Sequence, residues 1–78
     1  MNKETICTIV GKNLRKIRKE KGISIERLSF ISDVNKNYIS DLERGSRNPT
    51  IIMLDRLAYA LEVDLKKFFE QFLHFCYI

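Results

Sequence analysis

The side chains that could carry covalent or metal chemistry are few in this sequence, and those that could make polar contacts are crowded into one stretch. His74 is the single histidine, and Cys7 and Cys76 stand near opposite ends without CxxC or Cys/His ligand spacing. Neither His74 nor Tyr59 has a Ser, Cys or carboxylate motif around it, so no triad and no metal site is predicted, and both are read as surface or interface packing. A glycine-rich phosphate loop is also missing, so an enzyme is not expected and no cofactor, metal or small-molecule ligand is implied. What remains is hydrogen bonding and positive charge, concentrated around Lys36, Asn37, Ser40 and Asp41 and in the arginines that follow.

The charge is unevenly placed. Residues 1–50 hold 11 Lys/Arg against six Asp/Glu, whereas residues 51–78 hold three against four. A positive front half and a near-neutral back half suit a module that meets a polyanion with one face and another protein with the other. A basic helix that is merely solvated is the plain alternative.

The elements that must position these residues follow from the apolar period. Ile6, Val10, Leu14 and Ile17 recur three or four apart, which predicts a first helix from about Thr5 to Lys21, ended by Gly22. Gly11 inside it signals either close backbone packing or simple tolerance. Ser24 is an N-cap for a short second helix, from Ile25 to about Ile31, that turns Leu28 inward. Ser32, Asp33 and Val34 interrupt the pattern, with Asp33 suited to a left-handed conformation. Asn35 caps a third helix, Lys36 to Arg44, with Ile39 and Leu42 inside and Lys36, Asn37, Ser40 and Asp41 outside. Gly45 closes it.

Thr50 then caps a fourth helix in which Ile51, Leu54, Leu57, Ala58 and Leu61 are expected to face the core. Asp64 caps an expected fifth helix carrying Leu65, Phe68, Phe69, Phe72, Leu73 and Cys76 at helical spacing. With 45% apolar and 31% charged residues, the chain reads as one all-α domain over residues 1–78, a compact bundle of five helices. No window reaches the apolar length of a membrane span or a secretory signal, so a cytoplasmic location is expected, with both thiols reduced and partly buried.

Two short helices joined by a three-residue turn, behind a basic helix and ahead of a polar basic loop, meet the requirements of a helix-turn-helix, here about residues 24–44. The run Gly22-Ile-Ser-Ile-Glu-Arg-Leu28, then Val34-Asn-Lys-Asn-Tyr-Ile-Ser-Asp-Leu-Glu-Arg-Gly45, then Asn48-Pro-Thr50 resembles the lambda-repressor-like Xre/Cro family. The resemblance covers roughly residues 11 to 69. Within that family, the stretch from Asn37 to Thr50 is most similar to the controller proteins of restriction-modification systems, which are dimeric regulators of their own operon.

That resemblance implies a lambda-repressor-like DNA-binding domain whose partners are double-stranded DNA and a second copy of itself. Carried over by position, Lys36, Asn37, Tyr38 and Ser40 would face DNA, Lys36 donating to guanine and Asn37 pairing bidentately with adenine. Asp41 would either accept from cytosine or serve as a solvated helix acid. Arg44, Arg47 and Asn48 look like phosphate and groove-edge contacts, and Ser24 with its free amides forms a second anion site or an ordinary cap. Arg18 and Glu43 match a structural ion pair. Ile25 departs from the family, where glutamine commonly stands, so one polar contact to DNA is missing. Phe30 and Ile31 occupy positions that are often polar and are expected to pack on a terminal extension.

The surplus of apolar residues behind the reader, Ile52, Met53, Tyr59, Phe69, Phe72 and Phe75, predicts a two-fold dimer through dimerisation helices at about residues 50–76, with plain core packing of the last helix the alternative for Phe68 and Phe69. Two readers about 34 Å apart would then meet a pseudo-palindromic operator. A phage or plasmid repressor of the same fold, distinguished by its genomic neighbours, and an antitoxin-like interaction module are the alternative functions.

Overall fold

In the computed structural model, which describes residues 3–70, the chain forms four α-helices and a short 3-10 helix. They are α1 (Lys3–Glu20), α2 (Ile25–Ser32), α3 (Lys36–Glu43), α4 (Ile51–Leu61) and the 3-10 helix Leu65–Phe69. No strand occurs among the described residues.

Each helix starts and stops where its local chemistry dictates. Ser24 Oγ accepts from the Arg27 amide at 3.0 Å, Asn35 Oδ1 from the Asn37 amide at 2.7 Å, and Thr50 Oγ1 from the Met53 amide at 3.1 Å. Each satisfies one of the amides that a helix start leaves without an internal partner. Gly22 and Gly45 end α1 and α3 at φ of 72° and 77°. Where no glycine is available, Asp33 and Glu62 take the left-handed conformation at φ of 58° and 61°.

The turn between α2 and α3 is held by its own side chains. Ser29 Oγ donates to the Val34 carbonyl at 2.6 Å, and Ser32 Oγ accepts from the Val34 amide at 3.3 Å. Ser32 is the last residue of α2 and is buried, so it completes the helix instead of interrupting it. Val34, 3% exposed, drops into the core between the two helices.

The core is one cluster drawn from every element: Val10 and Leu14 from α1, Leu28 from α2, Ile39 and Leu42 from α3, Leu54, Leu57, Ala58 and Leu61 from α4, with Phe68 from the 3-10 helix. α1 packs on both α3 and the 3-10 helix, α2 packs on α3 and α4, and α4 meets the 3-10 helix. Gly11 is there because a backbone approaches it. A Cβ at this position would lie 2.2 Å from the Leu42 carbonyl oxygen and 3.0 Å from that of Glu43. Close packing, not tolerance, is therefore the reason for the glycine.

Two expectations are corrected. The expected fifth α-helix is a single stretch of 3-10 helix that ends at Phe69, with Glu70 extended and no side-chain cap from Asp64. The i, i+3 pair Leu65 and Phe68 satisfies a three-residue turn as well as a 3.6-residue one, and Asn13 Nδ2 then takes up the carbonyls of Phe68, at 2.9 Å, and of Glu70. The rest of that expected helix, including Phe72, Phe75 and Cys76, lies outside the described residues, as does His74. Ile51, expected in the core, is 73% exposed. It is the first residue of α4, and a helical side chain leans toward the N-terminus, so Ile51 projects past the end of the core.

Candidate nucleic-acid interface

The N-terminal ends of α2 and α3 open on one cleft of about 410 Å³, lined by Ser24, Ile25, Glu26, Lys36, Asn37, Ser40 and Arg18. Four residues singled out in the sequence thus come together from two elements, Ser24 at the start of α2 and Lys36, Asn37 and Ser40 on α3. Lys36 and Asn37 occupy the first turn of α3 and are exposed, as a residue meeting base edges must be. The free amides at the start of α2 add a partial positive charge beside them. Ile25 is partly buried against the core and also lines the cleft, which explains how an apolar residue is accommodated where a polar one is common in the family it resembles.

The other sequence-selected residues form a second group on α3 and the loop that follows it. Tyr38 is half-buried, and the Arg47 guanidinium lies over its ring at 4.6 Å from the centroid. Arg44 pairs with Asp41 and donates to Ser40 Oγ at 3.2 Å, while Arg47 Nη2 lies 3.4 Å from Asp41 Oδ2. Asn48 is exposed in the loop that follows. Asp41 is therefore more than a solvated helix acid, because it pairs with two arginines. The three-residue spacing to Arg44 signalled one of these pairs, but the link to Arg47 depends on how the loop folds back.

Beneath the cleft lies a buried ion pair. Arg18 Nε and Nη2 donate to the two carboxylate oxygens of Glu43 at 2.6 and 3.0 Å, and Nη1 donates to the Ile23 carbonyl at 2.9 Å. Only 9% of the Arg18 side chain and 3% of the Glu43 side chain are exposed. The Glu43 hydrogen bond raises the Arg18 pKa above its ordinary value; burial opposes this, and the charges of Glu43 and Glu26 add to it. A raised pKa in a basic group makes a stabilising contribution that is fully present below the group's ordinary value and is lost only as pH rises through the raised one, so Arg18 stays charged and contributes throughout the physiological range. One guanidinium thus joins α1, the entry to α2 and the end of α3. Lys12, Arg15, Lys16 and Lys19, by contrast, are all exposed on α1.

Outside the cleft, Ile52 is 69% exposed and Tyr59 86%, two turns apart on α4, and Phe69 is 40% exposed. Met53 is partly buried against the core. Phe30 is 79% exposed, and the Arg27 guanidinium of its own helix lies over its ring at 5.8 Å from the centroid. No helix among the described residues is long and apolar enough to cross a membrane.

A capped helix, a side-chain-locked turn and a second helix with an exposed polar first turn define a helix-turn-helix of the DNA-binding class. The chain belongs to the helix-turn-helix family, whose family model matches residues 14–68. It is 47% identical over 56 residues to the uncharacterized HTH-type transcriptional regulator y4dJ of Sinorhizobium fredii, a match spanning 72% of this chain and 73% of the relative. Control protein C.BamHI of Bacillus amyloliquefaciens is 39% identical over 62 residues, spanning 78% and 76% of the two chains. Among solved structures, the restriction-modification controller protein C.Esp1396I, crystallised as a tetramer with its natural 35-base-pair operator, superposes with a TM-score of 0.75 at 41% identity, covering 82% of this chain and 84% of that one.

Proposed function

We propose that this protein is a sequence-specific DNA-binding transcriptional regulator of the restriction-modification controller type, acting in the cytoplasm as a homodimer on a pseudo-palindromic operator. The observation that carries this reading is the cleft in which Ser24, at the start of α2, and Lys36, Asn37 and Ser40, on α3, are presented together. A helix entering the major groove leads with its first turn, so Lys36 and Asn37 meet base edges while the α2 amides rest against the backbone. Tyr38 and Ser40 flank them, and Arg44, Arg47 and Asn48 reach phosphates and the groove edge. The similarity to C.BamHI and to C.Esp1396I in its operator complex supports the controller assignment.

Footprinting of the purified protein on the DNA upstream of its own gene tests the reading directly. A protected site with two related halves is the expected result, and uniform protection of every sequence would overturn it. Within such a site, Lys36→Ala is expected to lower affinity by about 1 to 3 kcal/mol and to relax preference at one base position. Arg47→Ala should weaken all sequences to a similar degree, which titration against operator and random duplexes would separate.

Dimerisation uses the exposed α4 stripe of Ile52 and Tyr59 together with Phe69, with Met53 partly buried against the core beside it. Asp55 and Arg56, exposed beside the stripe, give each copy one charge of each sign for a two-fold contact. The double change Ile52→Glu and Tyr59→Glu places like charges across that axis. Sedimentation should then report a folded monomer, and operator affinity should fall at least about tenfold because a single reader binds weakly. A folded dimer in the double variant would exclude this face.

A further inference from the structure

Asp41 carries a chemistry that the reading of α3 as a row of outward donors does not use. Its carboxylate accepts from Arg44 on one oxygen and lies 3.4 Å from Arg47 on the other. Its main-chain carbonyl accepts from both the amide and the hydroxyl of Ser46, each at 3.1 Å, which ties the loop holding Arg47 back to α3. Arg47 is further held by the ring of Tyr38, and Arg44 by Ser40. Both arginines therefore rest against the reading helix on a carboxylate whose charge and acceptor geometry resemble those of a phosphate. With side chains 64% and 45% exposed, Arg44 and Arg47 are open to exchange with phosphate oxygens.

We propose that Asp41 is a specificity-determining positioning residue that keeps Arg44 and Arg47 on the reading face and competes with DNA phosphates for them. This rests on the DNA-reading function above. On its preferred duplex, the register set by Lys36 and Asn37 lets both arginines meet phosphates from the positions they already hold against Tyr38, Ser40 and Asp41. On an arbitrary duplex no register is set, and the arginines gain contacts only by leaving the carboxylate. Asp41 thus penalises the wrong partner more than the right one, which is how an internal repulsive element creates discrimination.

Asp41→Asn keeps the side chain's size and leaves the carbonyl that anchors Ser46 untouched, so the test isolates the charge. The duplex is one selected by the unaltered protein from a randomised pool, and the reference is a scrambled duplex of equal length. Asp41→Asn is expected to tighten binding to the scrambled duplex roughly three- to tenfold, with less than about twofold change on the selected one. The salt dependence on the scrambled duplex should steepen by about one to two logarithmic units per unit of log salt concentration, one for each arginine released. In an Arg44→Ala, Arg47→Ala background the same change should have no differential effect. Equal tightening on both duplexes, or an undiminished effect without the arginines, would show that Asp41 only repels DNA and would overturn the proposal. Failure of the unaltered protein to select any duplex would instead overturn the DNA-reading function itself.

Discussion

Replacing Gly11 with alanine is expected to destabilise the fold by about 2 to 4 kcal/mol, although alanine is the better helix former by about 1 kcal/mol. The new Cβ would sit 2.2 Å from the Leu42 carbonyl oxygen and 3.0 Å from that of Glu43, both backbone atoms that cannot rotate away. α1 and α3 must then separate, and the separation opens the core around Leu14 and Leu42, which are 0% and 1% exposed. In a domain of this size each kcal/mol moves the melting temperature by about 4 to 8 °C, so thermal denaturation reads the effect easily. An unchanged or raised melting temperature would mean that α3 does not approach α1 as described. The functional consequence follows from position, because α3 bears Lys36 and Asn37, and a displaced α3 presents them at the wrong depth.

The second large effect is expected from Arg18→Ala. It leaves the Glu43 carboxylate, 3% exposed, without its bidentate partner, and removes the donor to the Ile23 carbonyl. Arg15 Nη1, 3.9 Å from Glu43 and on a 56% exposed side chain, is too distant and too well solvated to replace it. Breaking a buried pair from one side costs about 3 to 5 kcal/mol, comparable to much of the total stability of a small domain. Arg18→Lys should recover only part of the loss, since an ammonium cannot span two carboxylate oxygens and a carbonyl in one plane. Replacing both partners, as in Arg18→Met with Glu43→Leu, should be far milder than Arg18→Ala alone. Urea denaturation of the three variants gives the ordering, and a double variant as unstable as the single one would contradict it.

Much of this fold is written locally. Ser24, Asn35 and Thr50 cap their helices through contacts only two or three residues long, and Gly22, Asp33 and Gly45 stop or turn the chain by backbone preference. Such signals survive in a bare sequence because the physics that makes them spans the same few residues. The first turn of α3 and the α2 cap are legible as a site for the same reason. What is not legible depends on distance along the chain. Neither the approach of Leu42 to Gly11 nor the grip of Asn13 on the carbonyls of Phe68 and Glu70 has a local signature. Leu65, Phe68 and Phe69 fit the α and the 3-10 period alike, and Ile51 fits the apolar period of α4 although it projects past the core, because periodicity ignores where a helix ends. Asp41 illustrates the middle case, in which one partner lies at helical spacing and the other is delivered by a loop.

The grip of Asn13 on the carbonyls of Phe68 and Glu70 has a consequence for biosynthesis. Its two acceptors lie 55 and 57 residues downstream. At the usual pace of translation, roughly three to eleven seconds separate the two ends of the second bond. During that interval the helices that meet the groove are made, while the side chain that fastens α1 to the chain's later portion still lacks its acceptors. The nascent polypeptide can therefore reach its final rigidity only after the Phe68–Glu70 stretch has been added, and a message truncated before that point would yield both groove-reading helices without Phe68 in the core or an acceptor for Asn13.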